Sequence, residues 1–280
     1  MLVECVINVS EGRDETVLTE LAAAAAPVLL DRHTDPDHHR SVFTLVGEAD
    51  SVAEAARTLA TACVERLDLT RHQGAHPRLG VLDVVPFVPY RAGALPSATE
   101  DLGAVTAPRD DFARWLSATH AIPSFLYGPA PDGRIRTLPQ VRRGAFTDLL
   151  PDFGPARPHP TAGASAVGAR PVLVAYNVWV SDLDVARRVV PQVRNHAVRA
   201  LALEVGGRAQ VSCNLIDPAS VGPDRLYDAV RQLVGGAGGS VVGAELVGLV
   251  PRSVLMEIPP LRWAELGLSA DATVEARLPA

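Results

Sequence analysis

One order of elements, strand-helix-strand-strand-helix-strand, can be read twice along the 280 residues, and it restricts the chain to two α+β halves. Residues 2–9, LVECVINV, are β-branched and apolar and stop at Ser10-Glu11-Gly12, which reads as a strand ending in a turn. Residues 14–26 place Val17, Leu18, Leu21 and Ala25 on one helical face before Pro27. PVLLD and SVFTLVG, separated by the polar stretch RHTDPDHHR, read as an antiparallel pair. Ser51 and Glu54 have capping-box spacing ahead of Val52, Ala55, Ala56, Leu59, Ala62 and Cys63, a second helix to about Leu67. VLDVVPFVP at 81–89 closes the unit, and Pro86 and Pro89 predict a strand that lies at an edge or leaves the sheet early.

The second half repeats the order without repeating the sequence. PVLVAYNVWV at 171–180 predicts a strand, 182–194 a helix, HAVRALALEV and RAQVSCNLID two strands about Gly206-Gly207, 223–235 a helix and SVVGAELVGLV a last strand. Between the halves lie a helix near 108–119, a short strand SFLYG at 124–128, and PDFGPARPHPTAGASAVGAR. The punctuation of this last piece reads as a fixed loop rather than a helix or a disordered linker. The expected domains are 1–168 and 169–280.

A formal net charge of −6 with dispersed charges gives no electrostatic footprint for nucleic acid or an acidic membrane face. Cys5, Cys63 and Cys213 are scattered and odd in number, which suggests neither a disulfide framework nor a cysteine zinc site and fits a reducing cytoplasm. The opening MLVECVINVSEG has no basic leader or cleavable apolar core, and no apolar run reaches membrane-spanning length, so a soluble, untargeted, cytoplasmic protein is expected.

Three polar clusters could carry chemistry. In LTRHQGAHPRLG, His76 stands between Ala75 and Pro77 just before a strand, where an imidazole can meet substrate and act as a base near neutral pH; the plainer alternative is that His72 and His76 cap a helix end and a turn. RHTDPDHHRS groups His33, Asp35, Asp37, His38, His39 and Arg40, which suits either a divalent metal or, preferred here, a polar substrate-binding loop. The third cluster is the glycine-bounded loop 154–163 with Asn177, Gln210, Ser212 and Asn214 on nearby strands. Its glycines allow close approach of backbone to a flat ligand, or serve packing alone. Neither GxGxxG nor GxxxxGK[ST] occurs in it.

Taken together, VECVINVSEGRD, DPDHHRSVFTLVG, RHQGAHPRLGVLDVVPFVP, PDFGP, GARPVLVAYNV, AQVSCNLID and VVGAELVGLVP resemble the glutamate formiminotransferase family, in one order from about residue 2 to 252. The resemblance implies two ferredoxin-like (βαββαβ) subdomains whose sheets face across a folate-binding tunnel. It puts the catalytic histidine on His76 and the folate loop on Gly154, Pro155, Ala156, Arg157, Pro158, His159, Pro160, Thr161, Ala162 and Gly163. Substrate contacts are expected from His39, Arg40, Asn177, Gln210, Ser212 and Asn214. The implied reaction moves a formimino group from N-formimino-L-glutamate to N5 of tetrahydrofolate, as in histidine degradation, with tetrahydrofolate as co-substrate and no metal or redox cofactor. Small molecules are then the partners, and a homodimer is allowed.

The chain departs from the family pattern at Ile7 and Val9, where ECVPNFSEG is usual, and at His39, where asparagine is expected. His39 is therefore placed to alter which donor is recognised. A cyclodeaminase domain is not expected within these 280 residues. Two other readings compete: the same chemistry with another formimino or formyl donor or acceptor, and a non-catalytic folate-binding module. A metal-dependent hydrolase built on HTDPDHHR comes last.

Overall fold

The computed structural model describes residues 2–75, 77–99, 101–130 and 133–279. The chain forms two compact units, 1–90 with 101–170, and 91–100 with 171–280.

In the first unit, β1 (Leu2–Val9), α1 (Glu15–Ala24), β2 (Leu29–Asp35), β3 (Arg40–Glu48), α2 (Ala49–Arg66) and β4 (Leu82–Tyr90) follow the βαββαβ order. The period-two pattern of β1 buries Val3, Cys5, Ile7 and Val9, which join Val52, Ala56, Leu59 and Cys63 of α2 in one core cluster. Asp14 starts α1 because its carboxylate accepts the otherwise orphaned N–H groups of Thr16 and Val17 at 3.0 and 3.1 Å. The expected capping box at Ser51 is absent: α2 starts three residues earlier, after Glu48, and no side chain caps it.

The sheet runs β2-β3-β1-β4 and then continues through β7 (Ser165–Ala169), β5 (Ser124–Pro129) and β6 (Ile135–Arg136) to seven strands. The expectation that β4 is an edge strand is overturned. It lies between β1 and β7, and all nine of its residues are buried. Pro86 is tolerated because it falls between the pairs Glu4↔Val88 and Asn8↔Val84, where the β1 ladder is interrupted. The strand that covers β4 is β7, which pairs parallel to it from Val84↔Ala166 to Phe87↔Ala169. It lies in the segment expected to be loop throughout: SAVGA is too short and too small-residued to show a period by itself.

α3 (Gly103–His120) and α4 (Leu138–Gly144) complete this unit. α4 begins at a true capping box, Thr137 with Gln140, and packs Val141 with Phe125, Tyr127, Val84 and Ala166.

The second unit contains β8 (Val174–Val180), α5 (Leu183–Val193), β9 (Val198–Val205), β10 (Arg208–Leu215), α6 (Pro223–Gly236) and β11 (Val241–Val247). Its sheet order β11-β8-β10-β9 is the ferredoxin-like order, equivalent to β4-β1-β3-β2 in the first unit, so the fold expected from element order is present twice. α5 buries Val185, Ala186, Val189, Val190 and Val193 along one stripe and is capped by Asp182. Beyond β11, short helices follow, and Tyr176 donates its hydroxyl to the Leu266 carbonyl at 2.7 Å. Among the described residues no helix is long and apolar enough to cross a membrane.

Candidate active site

The polar stretch 32–40 is not one loop. His33 and Asp35 belong to β2, Arg40 opens β3, and only residues 36–39 make the turn. His39 ends that turn at φ +50°, the left-handed region where asparagine is among the least strained non-glycine residues, which is compatible with the asparagine expected here from the family resemblance. His39 Nδ1 accepts the Gly12 N–H at 3.1 Å, and its ring stacks on His72 with centroids 4.0 Å apart. An acceptor at Nδ1 is a neutral imidazole, and burial lowers the His39 pKa in the same direction, opposed by the nearby Glu11 charge. Glu11 itself accepts the N–H groups of Gly12, Arg13 and Asp14 at 2.7–3.0 Å, which shapes the turn after β1.

His72 Nε2 donates to the His39 carbonyl at 2.8 Å, which leaves Nδ1 to accept from Arg78 Nη1. Arg78 Nη2 donates to the Gly74 carbonyl, and the Ala75 N–H reaches the Asp37 carbonyl at 3.4 Å. The histidine-rich stretch is thus laid directly on the 36–39 turn. Gly74 allows this approach: a Cβ there would stand 2.4 Å from the His38 carbonyl oxygen. His76, the candidate base, lies outside the described residues.

Beneath this layer sits Asp83. The β1–β4 register shifts between Asn8↔Val84 and Val9↔Leu82, so Asp83 is the extra residue of a β-bulge, the kind of irregularity that re-aims a side chain. Arg40 Nη1 donates to its Oδ2 at 2.6 Å, Arg142 Nη2 to the same oxygen at 2.7 Å, and the Leu79 N–H to Oδ1 at 2.7 Å. Burial pushes the Asp83 carboxyl up, but the two guanidinium charges and their hydrogen bonds outweigh it and hold the group at about 2. Arg40 Nε also donates to Asn8 Oδ1 at 3.0 Å, so the Arg40 guanidinium is engaged in holding this cluster.

The loop 154–163 reaches the same region only at its far end. Gly154, at φ +92°, and residues 155–158 are exposed, with Gly154 beside Ser117 and Pro123. His159 closes a tight turn, exchanging backbone hydrogen bonds with Gly163 at 2.8 and 3.0 Å and accepting the Ala162 N–H on Nδ1 at 3.0 Å. Gly163, at φ +73°, is pressed against the chain: a Cβ there would lie 2.3 Å from the Leu79 carbonyl oxygen. Gly80 faces it, with a Cβ position 2.2 Å from the Ala164 carbonyl oxygen. These two glycines are required by backbone-to-backbone packing.

The family model for the formiminotransferase domain, N-terminal subdomain, matches residues 2–170. A glutamate formimidoyltransferase from Streptococcus pyogenes serotype M1 is 34% identical over 92% of this chain and 91% of its own length. The chain belongs to the formiminotransferase family. A glutamate formimidoyltransferase from Thermoplasma acidophilum is 33% identical, covering 92% of this chain and 90% of that one. The formimidoyltransferase-cyclodeaminase of Sus scrofa is 34% identical over 91% of this chain but 51% of its own length, so the chain spans about half of that relative.

The remaining expected substrate residues lie in the second unit, on one face of its sheet. Ser212 stands directly opposite Asn177, Gln210 opposite Trp179, and Asn214 opposite Ala175. Asn177 Nδ2 donates to Glu245 Oε2 at 3.4 Å, Arg208 lies 3.9 Å above the Trp179 ring, and Asn214 is exposed. Gln210 is fully buried, and neither atom of its amide has a hydrogen-bond partner. Among the described residues no group of three His, Cys, Asp or Glu side chains is arranged to hold a metal; His38 Nε2 and Asp35 Oδ2 come within 3.8 Å of each other. The three cysteines are free and buried, and burial pushes all three thiols up, Cys213 to about 12.

Sequence reasoning missed Asp83, Arg142, Arg78 and Glu11. A signal existed for Asp83, the one charge inside VLDVVPFVP; Arg142 carried none, because its role depends on where α4 packs.

Proposed function

We propose that this protein transfers the formimino group of N-formimino-L-glutamate to N5 of tetrahydrofolate and releases glutamate. The reading is carried by the nine-tenths overlap, in both directions, with relatives named glutamate formimidoyltransferase. N5 attacks the amidine carbon, His76 takes the N5 proton, and the carbon–nitrogen bond to glutamate breaks as a proton returns to the departing nitrogen. The exchange is redox-neutral.

What supports His76 as the base is its sequence position between two anchored segments. Residues 72–75 are tied to the 36–39 turn, and 77–79 to Asp83 and Arg142. A base must be held within hydrogen-bond reach of its proton, and such anchoring serves that need. The exposed residues 154–158, 160 and 161 are the part of the 154–163 loop open to folate; Gly163 serves the packing behind it. The buried free thiols fit a reducing cytoplasm.

The test is direct. Purified protein is mixed with tetrahydrofolate and, separately, N-formimino-L-glutamate, N-formyl-L-glutamate and N-formiminoglycine, and the folate product is identified by mass. Transfer from the first donor alone is expected, with His76→Ala slower by about 100- to 10,000-fold. Faster transfer from another donor would move the substrate assignment; folate binding without any transfer would make the protein a binding module.

A further inference from the structure

We propose that Asp83 and Arg142 are a positioning pair for transfer, fixing the chain on the C-terminal side of His76 through Pro77 and Leu79. The inference rests on the reading of His76 as the base.

The observation is an arrangement of partners that ordinary packing does not require. The segment 77–79 has no regular structure, yet both of its ends are tied to one buried carboxylate system. The Leu79 N–H donates to Asp83 Oδ1 at 2.7 Å, and Arg142 Nη1 donates both to the Pro77 carbonyl at 3.2 Å and to Asp83 Oδ1 at 3.3 Å. Arg142 Nη2 closes the fork on Oδ2 at 2.7 Å. Asp83 is aimed here by the bulge in β4, and Arg142 is carried on α4, whose Val141 is anchored in the sheet cluster. Between the two anchored residues, Arg78 turns back to His72 and the Gly74 carbonyl.

Arg40 already supplies Asp83 with a neutralising charge at 2.6 Å, so a second guanidinium is not needed for charge balance. What Arg142 adds is geometry: a planar fork joins the carboxylate to a backbone carbonyl two residues before Leu79. Displacing a reacting group by about 1 Å costs on the order of 100-fold in rate, so a fixed 77–79 segment would serve a reacting group on the residue next to it.

Arg142→Gln and Arg142→Lys, each alone and combined with His76→Ala, test this with N-formimino-L-glutamate and tetrahydrofolate. Arg142→Gln should lower kcat by about 10- to 100-fold while leaving folate affinity, measured by equilibrium titration, within about twofold. Arg142→Lys keeps the charge but not the fork and should fall between. In the His76→Ala background the same Arg142→Gln change should alter the residual rate by less than about twofold, because a residue acting through another is non-additive with it. Equal losses in both backgrounds, an unchanged kcat, or a matching loss of folate affinity would each overturn the proposal. If Arg142→Gln does not fold, Arg142→Lys supplies the same cycle. Full activity in His76→Ala alone would instead remove the reading of His76 and the proposal with it, an outcome read before any Arg142 variant is made.

Discussion

Replacing Asp83 by asparagine removes one negative charge from a site where it faces Arg40 and Arg142 at 2.6 and 2.7 Å with no exposed surface of its own. The carboxyl falls from its ordinary value of 3.8 to about 2 on folding. At about 1.4 kcal/mol per pH unit, that difference contributes about 2 kcal/mol to stability. Because the folded value is depressed, the contribution is fully present above pH 4 and is lost as pH falls from there through 2. At neutral pH the variant should lose more than this, about 3–5 kcal/mol, since both guanidiniums then lose the Asp83 charge and the amide N–H₂ must face donors. Denaturant unfolding of both proteins at a series of pH values from 7 down to 2.5 gives the two curves. They should run apart at pH 7 and converge by about 1.5 kcal/mol by pH 2.5, where part of the contribution still remains. A neutral-pH loss under about 1 kcal/mol, or a gap that does not narrow on acidification, would refute the account of Asp83 as the electrostatic centre of the unit.

Gly163→Ala should lower the melting temperature without any ligand, since the added Cβ meets the Leu79 carbonyl oxygen at a positive φ, whereas exposed Arg157→Ala should leave stability within about 0.5 kcal/mol and, if the loop takes folate, weaken its titrated affinity. His39→Asn keeps an acceptor for the Gly12 N–H and suits φ +50°, so thermal unfolding should show a small change, while β-branched His39→Val should cost about 1–2 kcal/mol or more. Cys5, Cys63 and Cys213 should resist a thiol reagent at pH 8 in the native protein and react together once it is unfolded by denaturant; fast labelling of native protein would contradict their burial.

The order of elements was legible in the sequence because it depends on local signals. Alternation in LVECVINV and the helical stripe of Val185, Ala186, Val189, Val190 and Val193 each bury one face wherever the segment goes, so both βαββαβ units could be read before any strand was paired. The family resemblance was legible for a related reason: short runs such as RHQGAHPRLG keep their residue types in register along the chain. Tertiary pairing decided the rest. Pro86 signals an edge only while β7 is unseen; once SAVGA pairs alongside, β4 becomes an interior strand and the proline sits in a gap of the ladder. Gly163 looks like room for a ligand until Leu79 is found filling it. Asp83 is one acid in an apolar strand until a bulge turns it toward a strand start, a loop and a helix, at 40, 79 and 142, whose three residues donate to its two oxygens. Hydrophobic period is a property of neighbours in sequence, whereas a buried charge is defined by partners that only the folded chain brings together.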